Sequence, residues 1–205
     1  MNKWLISIGV IVIVVVVVWV AFGGEKNKIT NYPSGGTNII AFGDSLIEGV
    51  GASEGNDFIS LLSREIGQPI INVGISGNTT RDGLKRIGKD VLSKDPKIVL
   101  ISLGGNDYLK RVPKDETFEN LENIITQIQN KGAVVLLLGV RGGILRDNYE
   151  KNYRDTAERL GAGYVENILD DIIGTPSLMY DALHPNDTGH KIIADKILPV
   201  LQEII

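Results

Sequence analysis

The sequence predicts an α/β protein: a three-layer α/β/α sandwich on a mainly parallel five-stranded sheet, preceded by an N-terminal transmembrane helix. Three observations predict it. Short runs rich in Val and Ile recur along the chain, each closed by glycine, which suits strands buried on both faces of a parallel sheet. Helical patterns fill the intervals, so strand and helix alternate throughout. An uncharged stretch near the amino terminus is separated from all of this by a polar segment. The chain has 205 residues, 43% hydrophobic and 22% charged, enough for one domain with a sizeable core.

The first element is Trp4 to Phe22, WLISIGVIVIVVVVVWVAF, which carries no charge. As a helix it reaches ~28 Å, about the thickness of bilayer hydrocarbon. Trp4 and Trp19 lie near its ends, where indoles favour the interface. A secretory signal would carry a shorter apolar region, so an uncleaved anchor is favoured. Ala21-Phe22-Gly23 keeps cleavage, and hence secretion, as the alternative. Charges flank both sides and set no orientation; a short N-terminal tail before one span places the domain outside the cytoplasm. The expected organisation is an anchor over 1–23, a linker over 24–37 holding Pro33 and Gly35-Gly36, and a domain over 38–205.

Within the domain, Asn38–Phe42 is the first strand, stopped by Gly43. Phe58, Leu61, Leu62 and Ile66 share a helix face. Pro69–Val73 is the second strand, stopped by Gly74. Lys97–Leu103 is the third, before Gly104-Gly105. Phe118, Leu121, Ile124, Ile125 and Ile128 mark a helix after Pro113. Ala133–Leu138 is the fourth strand and Gly163–Val165 a weak fifth, with a charged, exposed helix over Tyr149–Leu160 between them. Ile192, Ile193, Ile197, Leu201 and Ile204 mark the last helix, with a kink or early end expected at Pro199.

Composition removes several classes of function. Lys plus Arg is 21 and Asp plus Glu is 25, a net charge of -4, which argues against a strongly basic nucleic-acid binder. Without cysteine there is no disulfide, thiolate metal site or cysteine nucleophile. The two histidines, His184 and His190, are six apart with no HExxH, so no metal is expected. The glycine-rich loops match no phosphate cradle, and no cofactor is expected.

Ligands of such sheets bind beyond the carboxyl ends of the strands. There the sequence offers Gly43-Asp44-Ser45-Leu46, then Gly74-Ile75-Ser76-Gly77-Asn78-Thr79, then Gly104-Gly105-Asn106-Asp107, and finally Asp181-Ala182-Leu183-His184-Pro185. These are the parts of a serine hydrolase. Ser45 is the candidate nucleophile, against the plainer role of a helix cap. His184 is the candidate base, with Asp181 three residues earlier to fix its tautomer and stabilise the imidazolium. His190, after the capping residues Asn186 and Asp187, reads as a surface helix residue. Oxyanion donors are the Gly74 and Ser45 N–H groups and the Asn106 side-chain amide. Asp44 is expected to hold its loop by accepting backbone N–H groups, and Asn72, Ser76, Asn78, Thr79 and Thr80 to shape the second loop.

These four segments, in this order, resemble the SGNH hydrolase superfamily, also called GDSL esterases and lipases, and are most like its bacterial thioesterase I, lysophospholipase and arylesterase branch. The resemblance covers nearly the whole domain. It implies a flavodoxin-like sheet, a shallow open site, no metal, a triad of Ser45, Asp181 and His184, and an oxyanion hole of Ser45, Gly74 and Asn106. The implied activity is hydrolysis of a small-molecule acyl ester or thioester. Arg141–Asn148 falls where such enzymes shape the acyl pocket. The rival expectations are an O-deacetylase of cell-surface polysaccharide and a non-catalytic surface module.

Overall fold

The computed structural model describes residues 29–140 and 149–205. The expected anchor at Trp4–Phe22, the start of the linker and the segment Arg141–Asn148 lie outside the described residues. Among the described residues no helix is long and apolar enough to cross a membrane.

Five parallel strands form one sheet: β1 (Asn38–Gly43), β2 (Ile70–Gly74), β3 (Pro96–Ser102), β4 (Val134–Leu138) and β5 (Gly163–Val165), in the order β2-β1-β3-β4-β5. This is the flavodoxin-like order, whose direction of winding reverses between β1 and β3. The helices are α1 (Ser45–Glu48), α2 (Phe58–Ile66), α3 (Thr80–Asp90), α4 (Gly105–Leu109), α5 (Lys114–Gln129), α6 (Tyr149–Leu160) and α7 (Asp187–Gln202).

Alternation along the strands divides the core into two. Ile39, Ala41, Ile98, Leu100, Val134 and Leu136 face α1, α2 and α7, and pack on Ile47, Phe58, Leu62, Ile193 and Ile197. Ile40, Phe42, Val99, Ile101, Val135 and Leu137 face α3, α5 and α6, and pack on Ile87, Leu121, Ile124 and Tyr153. Period-two burial on both faces is what a sheet between two helical layers requires.

Several expectations are corrected. β2 is an edge strand with no fully buried residue, so it is not covered on both faces. The helix over Tyr149–Leu160 is half buried: Tyr149, Tyr153, Thr156 and Ala157 face the core, and the Tyr153 hydroxyl donates to the Leu103 carbonyl at 2.7 Å. The last helix does not end early at Pro199 but runs on to Gln202. Pro199 and Asp195 both face solvent, so water can satisfy the Asp195 carbonyl that the ring leaves without its helical donor. From Ile29 on, the segment expected to be linker is fastened to the domain. Thr30 N–H donates to the Gly161 carbonyl at 2.8 Å, and Asn31 Nδ2 donates to the carbonyls of Gln129 and Ala133 at 2.7 and 3.0 Å.

Candidate active site

The loop after β1 is short because α1 begins almost at once. Asp44 is the cap: its Oδ1 accepts the Leu46 N–H at 3.1 Å. Ser45 is then the first helical residue. Its hydroxyl is not spent on capping, which removes the plainer role weighed for it. The hydroxyl lies 3.0 Å from His184 Nε2.

His184 is held by a tight turn before α7. Asp181 Oδ1 accepts the backbone N–H groups of Leu183 and His184 at 2.7 and 2.8 Å, which bends the chain back on itself. The same carboxylate meets His184 Nδ1 at 2.8 Å through Oδ2. With Nδ1–H directed at Asp181, Nε2 is left as the acceptor that faces Ser45. The His184 bond and the two backbone N–H groups hold the Asp181 carboxyl down at about 2, so it stays ionised across the neutral range. Asp44 is the opposite case. Burial pushes it up to about 6, although the Leu46 N–H and the nearby His184 favour its charge.

Asn106 stands in the first turn of α4. Gly104 is required there, with φ +113 and a would-be Cβ only 2.2 Å from the Tyr153 hydroxyl. The Asn106 amide donates to Asp44 Oδ2 at 3.2 Å and to the Asn78 carbonyl at 3.1 Å. Asp107 is fully buried and accepts the Thr80 N–H and hydroxyl at 2.9 and 2.6 Å. It thereby locks the start of α3, which Thr79 and Asp82 close with a capping box. The second loop is thus fixed at both ends.

Gly74, expected as an oxyanion donor, is not among the residues that line the cavity at Ser45 and His184. It ends β2 in register with Gly43, donates its N–H to Asn72 Oδ1 at 2.9 Å, and is pressed against α1: a Cβ would lie 2.2 Å from the Glu48 nitrogen. Its lack of a side chain serves strand–helix contact. Gly77, three residues on, lines the cavity instead. The motif has two glycines. The one that closes β2 lies in register with Gly43 and against α1, and the one two residues before the Thr79 cap lines the cavity; that difference of position was the available signal. His190 is also corrected. It is fully buried, stacked on Phe58, accepts the Phe58 N–H through Nδ1 at 3.3 Å and lies 3.2 Å from the Val50 carbonyl through Nε2.

A cavity of about 570 Å³ opens at Ser45 and His184. Its wall includes Tyr108, Leu109, Val140, Leu169, Ile173 and Leu183. This apolar lining was not legible in the sequence, because most of it comes from loops without periodicity. Among the described residues no group of His, Cys, Asp and Glu could hold a metal ion.

The model of the GDSL-like lipase/acylhydrolase family matches residues 41–192. The chain belongs to that family. It is 33% identical to the arylesterase of Vibrio mimicus over 181 residues, covering 82% of this chain and 88% of that one. To Esterase TesA of Pseudomonas aeruginosa it is 26% identical over 181 residues, covering 82% and 89%. Among solved structures, the psychrotrophic esterase EstA from Pseudoalteromonas sp., inhibited by monoethylphosphonate, superposes with a TM-score of 0.73 at 26% identity, covering 81% of this chain and 97% of that one. AlinE4, an SGNH-hydrolase family esterase, gives a TM-score of 0.63 at 31% identity, covering 82% and 96%.

Proposed function

We infer that this chain is a serine esterase that cleaves carboxylic ester or thioester bonds through an acyl-enzyme on Ser45. One observation carries the reading. The Ser45 hydroxyl lies 3.0 Å from His184 Nε2, whose other ring nitrogen lies 2.8 Å from Asp181 Oδ2, at the mouth of an apolar cavity. Membership of an ester-hydrolase family makes the chain an enzyme rather than a non-catalytic module.

The hydroxyl attacks the carbonyl carbon as His184 takes its proton, and the ionised Asp181 stabilises the imidazolium. Negative charge gathers on the carbonyl oxygen. The Ser45 and Gly77 N–H groups and the Asn106 amide are its donors, with Gly77 in the role that the sequence suggested for Gly74. Of the two Asn106 bonds, the 3.2 Å contact to Asp44 is the longer and is the one an oxyanion replaces. His184 then protonates the departing alcohol or thiol. Water, deprotonated by the same imidazole, attacks the acyl-enzyme and releases the acid.

The cavity wall suits a hydrocarbon acyl chain. Relatives named arylesterase and thioesterase 1/protease 1/lysophospholipase L1 support esters and thioesters of such acids as substrates. A second reading, deacetylation of surface polysaccharide, draws on a relative named acetylxylan esterase, 28% identical over 158 residues. A panel of aryl esters of rising acyl length, acyl-thioesters and acetylated xylo-oligosaccharides separates them. Turnover that rises with acyl length supports the first; turnover confined to acetyl groups supports the second. Equal turnover by Ser45→Ala refutes both. For location, we propose a single N-terminal span holding the domain outside the cytoplasm, with secretion after cleavage as the alternative. Membrane fractionation with protease protection decides between them.

A further inference from the structure

Arg86, on α3, lies under the rim that carries the oxyanion donors, with only 14% of its side chain exposed. Its guanidinium has four acceptors. Nε donates to Asn78 Oδ1 at 2.7 Å. Nη1 donates to the Val73 carbonyl at 2.8 Å and to Asp90 Oδ2 at 3.0 Å. Nη2 donates to the Gly43 carbonyl at 2.7 Å. The guanidinium carbon sits 4.3 Å from the centre of the Phe42 ring. Gly43 and Val73 lie at the carboxyl ends of β1 and β2, one residue before Asp44 and one before Gly74. One planar cation therefore ties together the two strand ends from which the Ser45 turn and the second loop depart. Asn78 joins this clamp to the site. Its side chain is held by Arg86, and its carbonyl accepts the Asn106 amide at 3.1 Å.

We propose that Arg86 is a positioning residue for the oxyanion-binding Asn106 amide. By fixing Asn78 against the ends of β1 and β2, it holds that amide in register with Ser45. A lysine keeps the charge but lacks the planar fork, so it cannot span the two carbonyls and the Asn78 side chain at once. The salt bridge to Asp90 lies within α3 and is shared by any structural role. The contacts to Gly43, Val73 and Asn78 are the ones that touch the site.

The inference rests on the esterase reading, and the test separates the two. The full chain in detergent, with Arg86→Lys, Asn106→Ala, the double variant, Asn78→Ala and Ser45→Ala, is assayed for kcat and KM on an aryl ester, with Tm recorded for each. Arg86→Lys is expected to lower kcat ~10–100-fold at nearly unchanged KM, as misplacement of catalytic groups does. In the Asn106→Ala background the same substitution should lower kcat by less than ~3-fold, because the group it positions is gone. If Arg86→Lys does not fold, Asn78→Ala, which breaks the link with Arg86 intact, should show the kcat loss and the same dependence on Asn106. Losses that multiply in the double variant, an unchanged kcat, or a kcat loss that only follows the folded fraction overturn the proposal. Full activity in Ser45→Ala instead overturns the esterase reading.

Discussion

Ser45 and Asp44 divide two tasks that a lone serine at a helix start would have to share. Asp44 caps α1 and accepts the Leu46 N–H, so the Ser45 hydroxyl is available to His184. The Asn106 amide faces the same Asp44 carboxylate. Removing one oxyanion donor typically lowers kcat by ~10²–10³, and Asn106→Ala is expected to do so with KM changed little, as read by steady-state kinetics. Asp44 also carries a pH signature. A buried acid whose folded pKa is raised to about 6 binds its proton more tightly in the folded state. Its contribution is therefore fully present below the unfolded value of about 4 and is lost as pH rises to about 6, by roughly 3 kcal/mol. Urea unfolding from pH 4 to 6.5 should show this loss in the native chain and not in Asp44→Asn. Ser45, Asp181, His184 and Asn106 were legible because their chemistry is distinctive and only two histidines had to be sorted. Gly77, the proposed donor, was not, because glycine carries no chemical mark and only the backbone path separates it from Gly74.

Among the elements, α7 shows where one-dimensional reading runs out. Its apolar periodicity located it, and Asn186 caps it by accepting the Thr188 and Gly189 N–H groups. The burial of His190 depended on the distant loop over residues 49–57, which no local pattern reveals. The Val50 carbonyl of that loop faces His190 Nε2, and Val50 N–H donates to the Ser45 carbonyl at 3.0 Å. His190→Ala leaves a cavity and the Phe58 N–H without its acceptor, so a destabilisation of ~2–4 kcal/mol is expected from denaturant unfolding. A surface histidine would cost under ~0.5 kcal/mol. β2 was legible as a strand, but its place at the sheet edge was not, since edge position is set by strand order and not by the residues of the strand.

For the whole molecule, both ends of the sheet matter. The four loops with the candidate site residues, including Asp181 and His184, lie at the carboxyl end, where the winding reverses between β1 and β3. The chain enters at the other end: Thr30 bonds to Gly161, Asn31 to Ala133 and Ser34 to Gly132, close before β5 and β4. Few residues separate Ile29 from Phe22, and an extended chain spans at most ~3.6 Å per residue. With the proposed anchor in a bilayer, the cavity is expected to face away from that membrane. The full chain in liposomes should therefore hydrolyse a soluble aryl ester as fast as in detergent, yet turn over lysolipid of its own bilayer more slowly than lysolipid in mixed micelles. Equal lysolipid rates would contradict this orientation. Alternation of strand and helix made the layers legible, and with them the carboxyl end at which the loops from Ser45 to His184 gather; which of those loops are neighbours followed only from the strand order. That convergence is tested most directly by reaction with a fluorophosphonate and peptide mapping of the adduct. The expected result is one phosphonyl group on Ser45, lost in His184→Ala with the fold intact; no adduct on Ser45 in the folded native chain, or undiminished labelling without His184, would contradict it.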